Sequence, residues 1–189
     1  ISTKYKGNLL NHVDKALQLG PAQAGYLFLL LIGSFILLLA LGVNPWLSII
    51  GAIAFAFSSY NFVIMAAGHN SKVVTIGYLA PLLGSIILTF RGKRILGIAL
   101  TGLFMSLQIL AGHPQITYYT LLIVIIFGIS QLIFSIKDHK VKDTLVSVGL
   151  LTAVVAIAVL SNFSRLATTM EYDDYSMRTK SELTELSKD

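Results

Sequence analysis

"LQILAGHPQITYY", residues 107–119, decides how this chain folds. An apolar run halts at Gly112, His113 and Pro114 and resumes at once. Glycine ends helices, and proline suits the first position of the next one. The stretch therefore reads as the tip of a helical hairpin, with His113 near the cap and Pro114 opening the second helix. "IMAAGHNSKVV" (64–74) does nearly the same, with Gly68 as terminator and Asn70 or Ser71 as the next cap. The other breaks are "LGVNPW" (41–46), "RGKR" (91–94) and "KDHKVKD" (137–143). In the first of these, Gly42, Asn44 and Pro45 read as terminator, N-cap and first helical residue.

Composition fits what lies between the breaks. Of 189 residues, 55% are hydrophobic and 12% charged. A soluble domain carries about 25% charged residues, and the mean hydropathy here is +0.77. The chain thus belongs to the membrane class. Its net charge of +5 follows the flanks of apolar segments, so no nucleic-acid partner is expected. The absence of cysteine excludes disulfides and thiolate metal sites.

Six apolar stretches approach the roughly 20 residues that cross a bilayer core: 25–43, 46–67, 73–90, 95–111, 115–136 and 144–160. They are apolar all round without a period of two, which favours helices over barrel strands. The expectation is an all-α, polytopic membrane protein of about six antiparallel transmembrane helices with short loops. Segment 1–24 reads as an outer-face amphipathic piece, 25–160 as the transmembrane array, and 161–189 as an outer-face tail. The chain begins with Ile1, and we expect it to be a piece of a longer protein, partnered by the rest of its own chain.

Alternation puts Arg91, Lys93, Arg94, Lys137, Lys140 and Lys142 on one side, with Lys72 alone in the short loops opposite. Positive-inside bias makes the first side cytoplasmic. Both Ala-Gly-His turns then share the outer face, where the N-termini of the following helices favour anions. Lys72 adds positive charge, and His69 and His113 add hydrogen-bonding groups. Tyr118 and Tyr119 suit the membrane interface. Such a site fits a lipid phosphate headgroup, although the same residues also serve as plain turn punctuation. Zinc at His69 and His113 needs a third ligand such as Glu171 or Asp173, without regular spacing to support it, so no metal or cofactor is assigned. Asn61 and Gln108 read as hydrogen-bonders between helices before they read as ligands. No Asp, Glu, Lys or Arg lies mid-span, which disfavours a charged relay. In the tail, Asp173 and Asp174 read as solvated charge.

"AGHNSKVVTIGYLAPLLGSI" (67–86), "LQILAGHPQITYYTLLIVI" (107–125) and "TTMEYDDYSMRTKSEL" (168–183), in that order between apolar spans, resemble the YfhO-like family of bacterial polytopic membrane proteins. The resemblance covers about residues 45–183. That family is similar to GT-C glycosyltransferases, which take a sugar from a polyprenyl-phosphate donor on the outer leaflet of the bacterial cytoplasmic membrane. It implies a part in cell-envelope glycosylation, with His69, Asn70, Lys72, His113 and Gln115 contacting donor phosphate and sugar. It also implies a carboxylate base, for which "ISTKYKGNLLNHVDKALQLG" (1–20) offers Asp14 alone, and Thr179 stands where a glycine is expected. The catalytic residue is therefore expected outside this chain, which by itself should be inactive. A lipid or sugar translocator and a noncatalytic scaffold are the alternatives.

Overall fold

A computed structural model describes residues 9–19, 22–164 and 167. Among them the helices are α1 (Leu9–Leu17), α2 (Ala22–Ala40), α3 (Pro45–Ala56), α4 (Ser59–Ala66), α5 (Asn70–Phe90), α6 (Arg94–Leu110), α7 (Pro114–Lys137) and α8 (Val141–Ser161). The described residues contain no strand. Five stretches are long and apolar enough to cross a membrane: α2, the α3–α4 pair, α5, α7 and α8. The apolar α6, of 17 residues, is the sixth member of the array. The expected all-α, multi-pass architecture is thus observed, and its exposed apolar surfaces on α3, α7 and α8 are those of a protein in contact with a lipid bilayer.

One expected span differs. The segment 46–67 is two helices, interrupted at Phe57 and Ser58. The break survives in an apolar setting because Asn61 answers it. Its Nδ2 donates to the carbonyls of Phe55 at 2.8 Å and Ala56 at 3.3 Å. These are carbonyls that a continuous helix would have bonded itself.

Helix α5 is the hub. Some 67% of it is buried, against 11% of α7, and it packs chiefly on α2 and α6. Small residues allow this. Pro81 has no N–H to offer the Gly77 carbonyl, and a Cβ on Gly33 of α2 would stand only 2.6 Å from that oxygen. Only glycine lets α2 approach there. On the other flank, a Cβ on Gly97 would meet the Thr89 nitrogen at 2.7 Å and the Ser85 carbonyl at 2.8 Å. Beside that contact, the hydroxyls of Ser85 and Thr101 lie 2.9 Å apart between α5 and α6. Leu29, Val74, Tyr78, Leu82, Ile86, Phe104 and Leu107 fill the main core.

Contacts between turns fix which helix ends lie together. Arg91 donates to the Leu41 carbonyl at 2.8 Å, joining the ends of α2 and α5. Arg94 forms an ion pair with Asp143 at 3.0 Å, joining the starts of α6 and α8. These loops make one basic end of the array. The Ala-Gly-His turns lie at the opposite, histidine end, as alternation of the helices requires.

Candidate functional site

The histidine end begins with α1, the part of segment 1–24 that the structure describes. Its Leu10, Val13 and Leu17 pack against the main core, while His12 and Lys15 are exposed. Asp14 lies on the inner-facing side of α1. It accepts from the hydroxyl of fully buried Tyr78 at 2.5 Å and from Gln18 Nε2 at 2.6 Å. Alone in the sequence, Asp14 is thus paired in the fold. The i, i+4 spacing of Asp14 and Gln18 was visible in sequence; the Tyr78 partner, 64 positions away, was not.

The first Ala-Gly-His turn joins α4 to α5. Gly68 adopts φ +75°, the left-handed cap that glycine tolerates. The turn is fully bonded, with Gly68 N–H to the Met65 carbonyl and His69 N–H to the Ile64 carbonyl, both at 3.0 Å. Asn70 N–H adds a bond to the Gly68 carbonyl at 2.9 Å. The cap of α5 is His69, with no side-chain cap bond, rather than the expected Asn70 or Ser71. His69 and Asn70 are exposed, with their side chains at the surface. Lys72 turns toward α4, its Nζ 5.4 Å from the centroid of the Tyr60 ring.

The second turn joins α6 to α7. Gly112 adopts φ +74°, and His113 and Pro114 take the expected cap and opening positions. Here the bonding is looser. Gly112 N–H reaches the Ile109 carbonyl at 3.1 Å, but among the described residues His113 N–H makes no bond to the Gln108 carbonyl. The cause is Pro114. Its ring drives the preceding residue toward extended backbone, and His113 sits at φ −123°, ψ 81°, against −79°, 55° for His69. Proline also lacks the N–H that Asn70 uses.

Side chains follow the same contrast. Gln108 is fully buried and its Nε2 donates to Thr120 Oγ1 across α6 and α7 at 2.8 Å, the interhelical role expected of it. Its Oε1 and the Nδ1 of half-buried His113 are buried without a partner. Gln115 is exposed and donates to the Tyr119 hydroxyl one turn on, at 2.9 Å, so it helps to orient an exposed tyrosine pair with Tyr118.

All five sequence-assigned residues therefore lie at one end of the array. No hydrogen bond or ion pair among the described residues links His69, Asn70 or Lys72 to His113 or Gln115. The two turns lie at the same end of the packed α5–α6 pair. No group of three metal-ligating side chains occurs among the described residues. Glu171, Asp173, Asp174 and Thr179 lie outside the described residues. Comparison with known proteins adds no assignment: no family model, curated protein or solved structure matches the chain.

Proposed function

We propose that this chain is the membrane-embedded part of a bacterial transferase that uses a polyprenyl-phosphate-linked sugar at the outer face of the cytoplasmic membrane, for cell-envelope glycosylation. The observation that carries the reading is the polarity of the array. Arg91 and Arg94 hold the turns of one end together. The other end combines Lys72, two histidine turns, the second of them loosely bonded, and unpartnered polar atoms. Positive-inside bias makes the histidine end external, where a lipid-linked phosphate would meet it.

In this reading His69, Asn70 and Lys72 take the lipid phosphate, while His113 and Gln115 face the sugar. Transfer breaks the bond between the anomeric carbon and the phosphate oxygen, whose electron pair stays on the phosphate. Lys72 stabilises that growing charge. The acceptor hydroxyl forms the new glycosidic bond and gives its proton to a carboxylate. Asp14 already accepts two hydrogen bonds, so we assign it no catalytic role.

The test is binding of a short-chain polyprenyl-phosphate hexose to the full-length protein in detergent. Wild type should bind, and a His69, Lys72 and His113 triple alanine variant should not. Equal binding by both, or binding by neither, would return the turns to plain punctuation. The interruption at Phe57 and Ser58 favours a second reading, a lipid or sugar translocator, because broken spans recur in transporters. Movement of the intact lipid across vesicles without bond cleavage would select it.

A further inference from the structure

At the basic end, contacts between turns assemble one continuous surface. Arg91 ties the α5–α6 turn to the α2–α3 turn through the Leu41 carbonyl. Arg94 ties it to the α7–α8 turn, donating to the Asp143 carboxylate at 3.0 Å and to the Asp143 carbonyl at 3.3 Å. These two arginines are occupied by the fold. Lys93, Lys137, Lys140 and Lys142, in or beside the two turns that Arg94 joins, are exposed. Among the described residues no ion pair holds any of them. Only two acids stand in these turns, Asp138 and the already paired Asp143.

The lysines do not serve the helices that they open. Lys93 caps α6 and Lys140 caps α8, and neither side chain makes a cap bond. A helix start carries partial positive charge and favours an anion, so a cation at both caps opposes the local electrostatics. Cations that orient a chain in the membrane need only lie on the right side; their clustering at helix caps calls for an external anion. The neighbouring side chains say that this anion carries a hydrocarbon tail. Ile95 and Leu96, next to Lys93, are 88% and 51% exposed, and Trp46 beside the α2–α3 turn is 77% exposed. Apolar side chains among lysines suit the boundary between acyl chains and headgroups. At about 1.5 Å per residue, the 17 residues of α6 cover about 25 Å, less than a hydrocarbon core of roughly 30 Å. The ends of α6 are therefore drawn to headgroup level.

We propose that Lys93, Lys137, Lys140 and Lys142 form a docking surface for the headgroup of an anionic phospholipid in the leaflet at the basic end. The ammonium groups donate to the headgroup phosphate, while Ile95 and Leu96 lie against its acyl chains. This surface is independent of the sugar-lipid reading, which concerns the opposite end of the array.

The experiment measures binding of short-chain phosphatidylglycerol and of phosphatidylcholine with the same chains to the full-length protein in nonionic detergent. Wild type should favour phosphatidylglycerol about tenfold, what one or two lysines contribute near anionic lipid, and should lose the preference in about 1 M salt, where screening is strong. Glutamine at all four lysines should erase the preference and leave phosphatidylcholine binding near wild type. Arginine at all four should keep it, as should Lys15→Gln at the histidine end. Equal binding of the two lipids by wild type overturns the proposal, and so does a preference retained by the glutamine variant. Loss in Lys15→Gln as well would reduce the effect to net charge and also overturn it. Displacement of phosphatidylglycerol by equimolar inorganic phosphate would assign the lysines to a soluble anion instead. Should the glutamine variant bind neither lipid, Lys93→Gln and Lys142→Gln decide singly: each should lose part of the preference, and full retention in both overturns the surface.

Discussion

Two turns with the same Ala-Gly-His core sit at the same end of this molecule and are bonded differently. At α4–α5 the backbone closes with three bonds, His69 is exposed, and the buried amide nearby, Asn61, is spent on the broken α3–α4 span. At α6–α7 the proline in place of asparagine leaves the turn one step open, and the buried amide, Gln108, keeps an oxygen free. A helix terminator is thus generic, whereas its neighbours decide whether it merely turns the chain or leaves polar groups without a partner.

The amides should separate the turns most. Asn61→Leu strips the side-chain donor from two carbonyls at the end of α3, leaving Phe55 only the longer bond from Ser58 N–H at 3.3 Å, a loss of about 1–3 kcal/mol in reversible unfolding in detergent. Gln108→Leu forfeits one interhelical bond, about 0.6 kcal/mol in membrane helices, but also removes an unsatisfied oxygen. Its stability should stay within about 1 kcal/mol of wild type. Similar losses in both variants would erase the distinction drawn between the two amides.

The glycines should not distinguish the turns. Gly68 has open space around it, and the nearest atom to a Cβ on Gly112 is 4.0 Å away. Valine at either position should therefore cost only backbone strain, about 1–2 kcal/mol, equal for the two. Unequal losses would mean that one turn has packing demands the other lacks.

Exchanging the residue after histidine sharpens the contrast. Pro114→Asn should let the second turn close, protect the His113 amide from hydrogen exchange and add about 0.5–1 kcal/mol of stability. Asn70→Pro should do the reverse at the first. An unprotected His113 amide in the Pro114→Asn variant would show that proline is not what opens the turn. The smallest effect belongs to Lys72→Met, which removes a partly exposed cation–π contact worth about 0.5–1 kcal/mol. Amide exchange at the α6–α7 turn should be unchanged in that variant; a shift there would couple turns whose named residues share no hydrogen bond.

Most of the helical plan was legible because terminators and apolar length are local properties. Gly42, Gly68, Gly92 and Gly112 all take positive φ. Asn44 caps α3 through Oδ1 and Trp46 N–H at 3.0 Å, as "LGVNPW" indicates. The break at Phe57 and Ser58 was hidden because neither residue is a helix breaker. It became evident only from the carbonyls that Asn61 reaches. The candidate site was half legible. Its residue types stand in the turns, but the direction of Lys72 toward Tyr60 and the orphaned atoms of Gln108 and His113 depend on neighbouring helices.

By itself, then, the sequence determined the number of apolar spans, most of their ends, and which turns share a side. Each of these follows from hydrogen bonds within a few residues and from the length needed to cross hydrocarbon. Only the tertiary structure decided that α5 is the hub, that Asp14 is held by Tyr78, and that one of two matching turns keeps buried polar atoms without a partner. Those outcomes depend on close approach between distant segments, such as Gly33 to the Gly77 carbonyl. In an apolar chain, where almost every face is hydrophobic, periodicity does not reveal which faces meet.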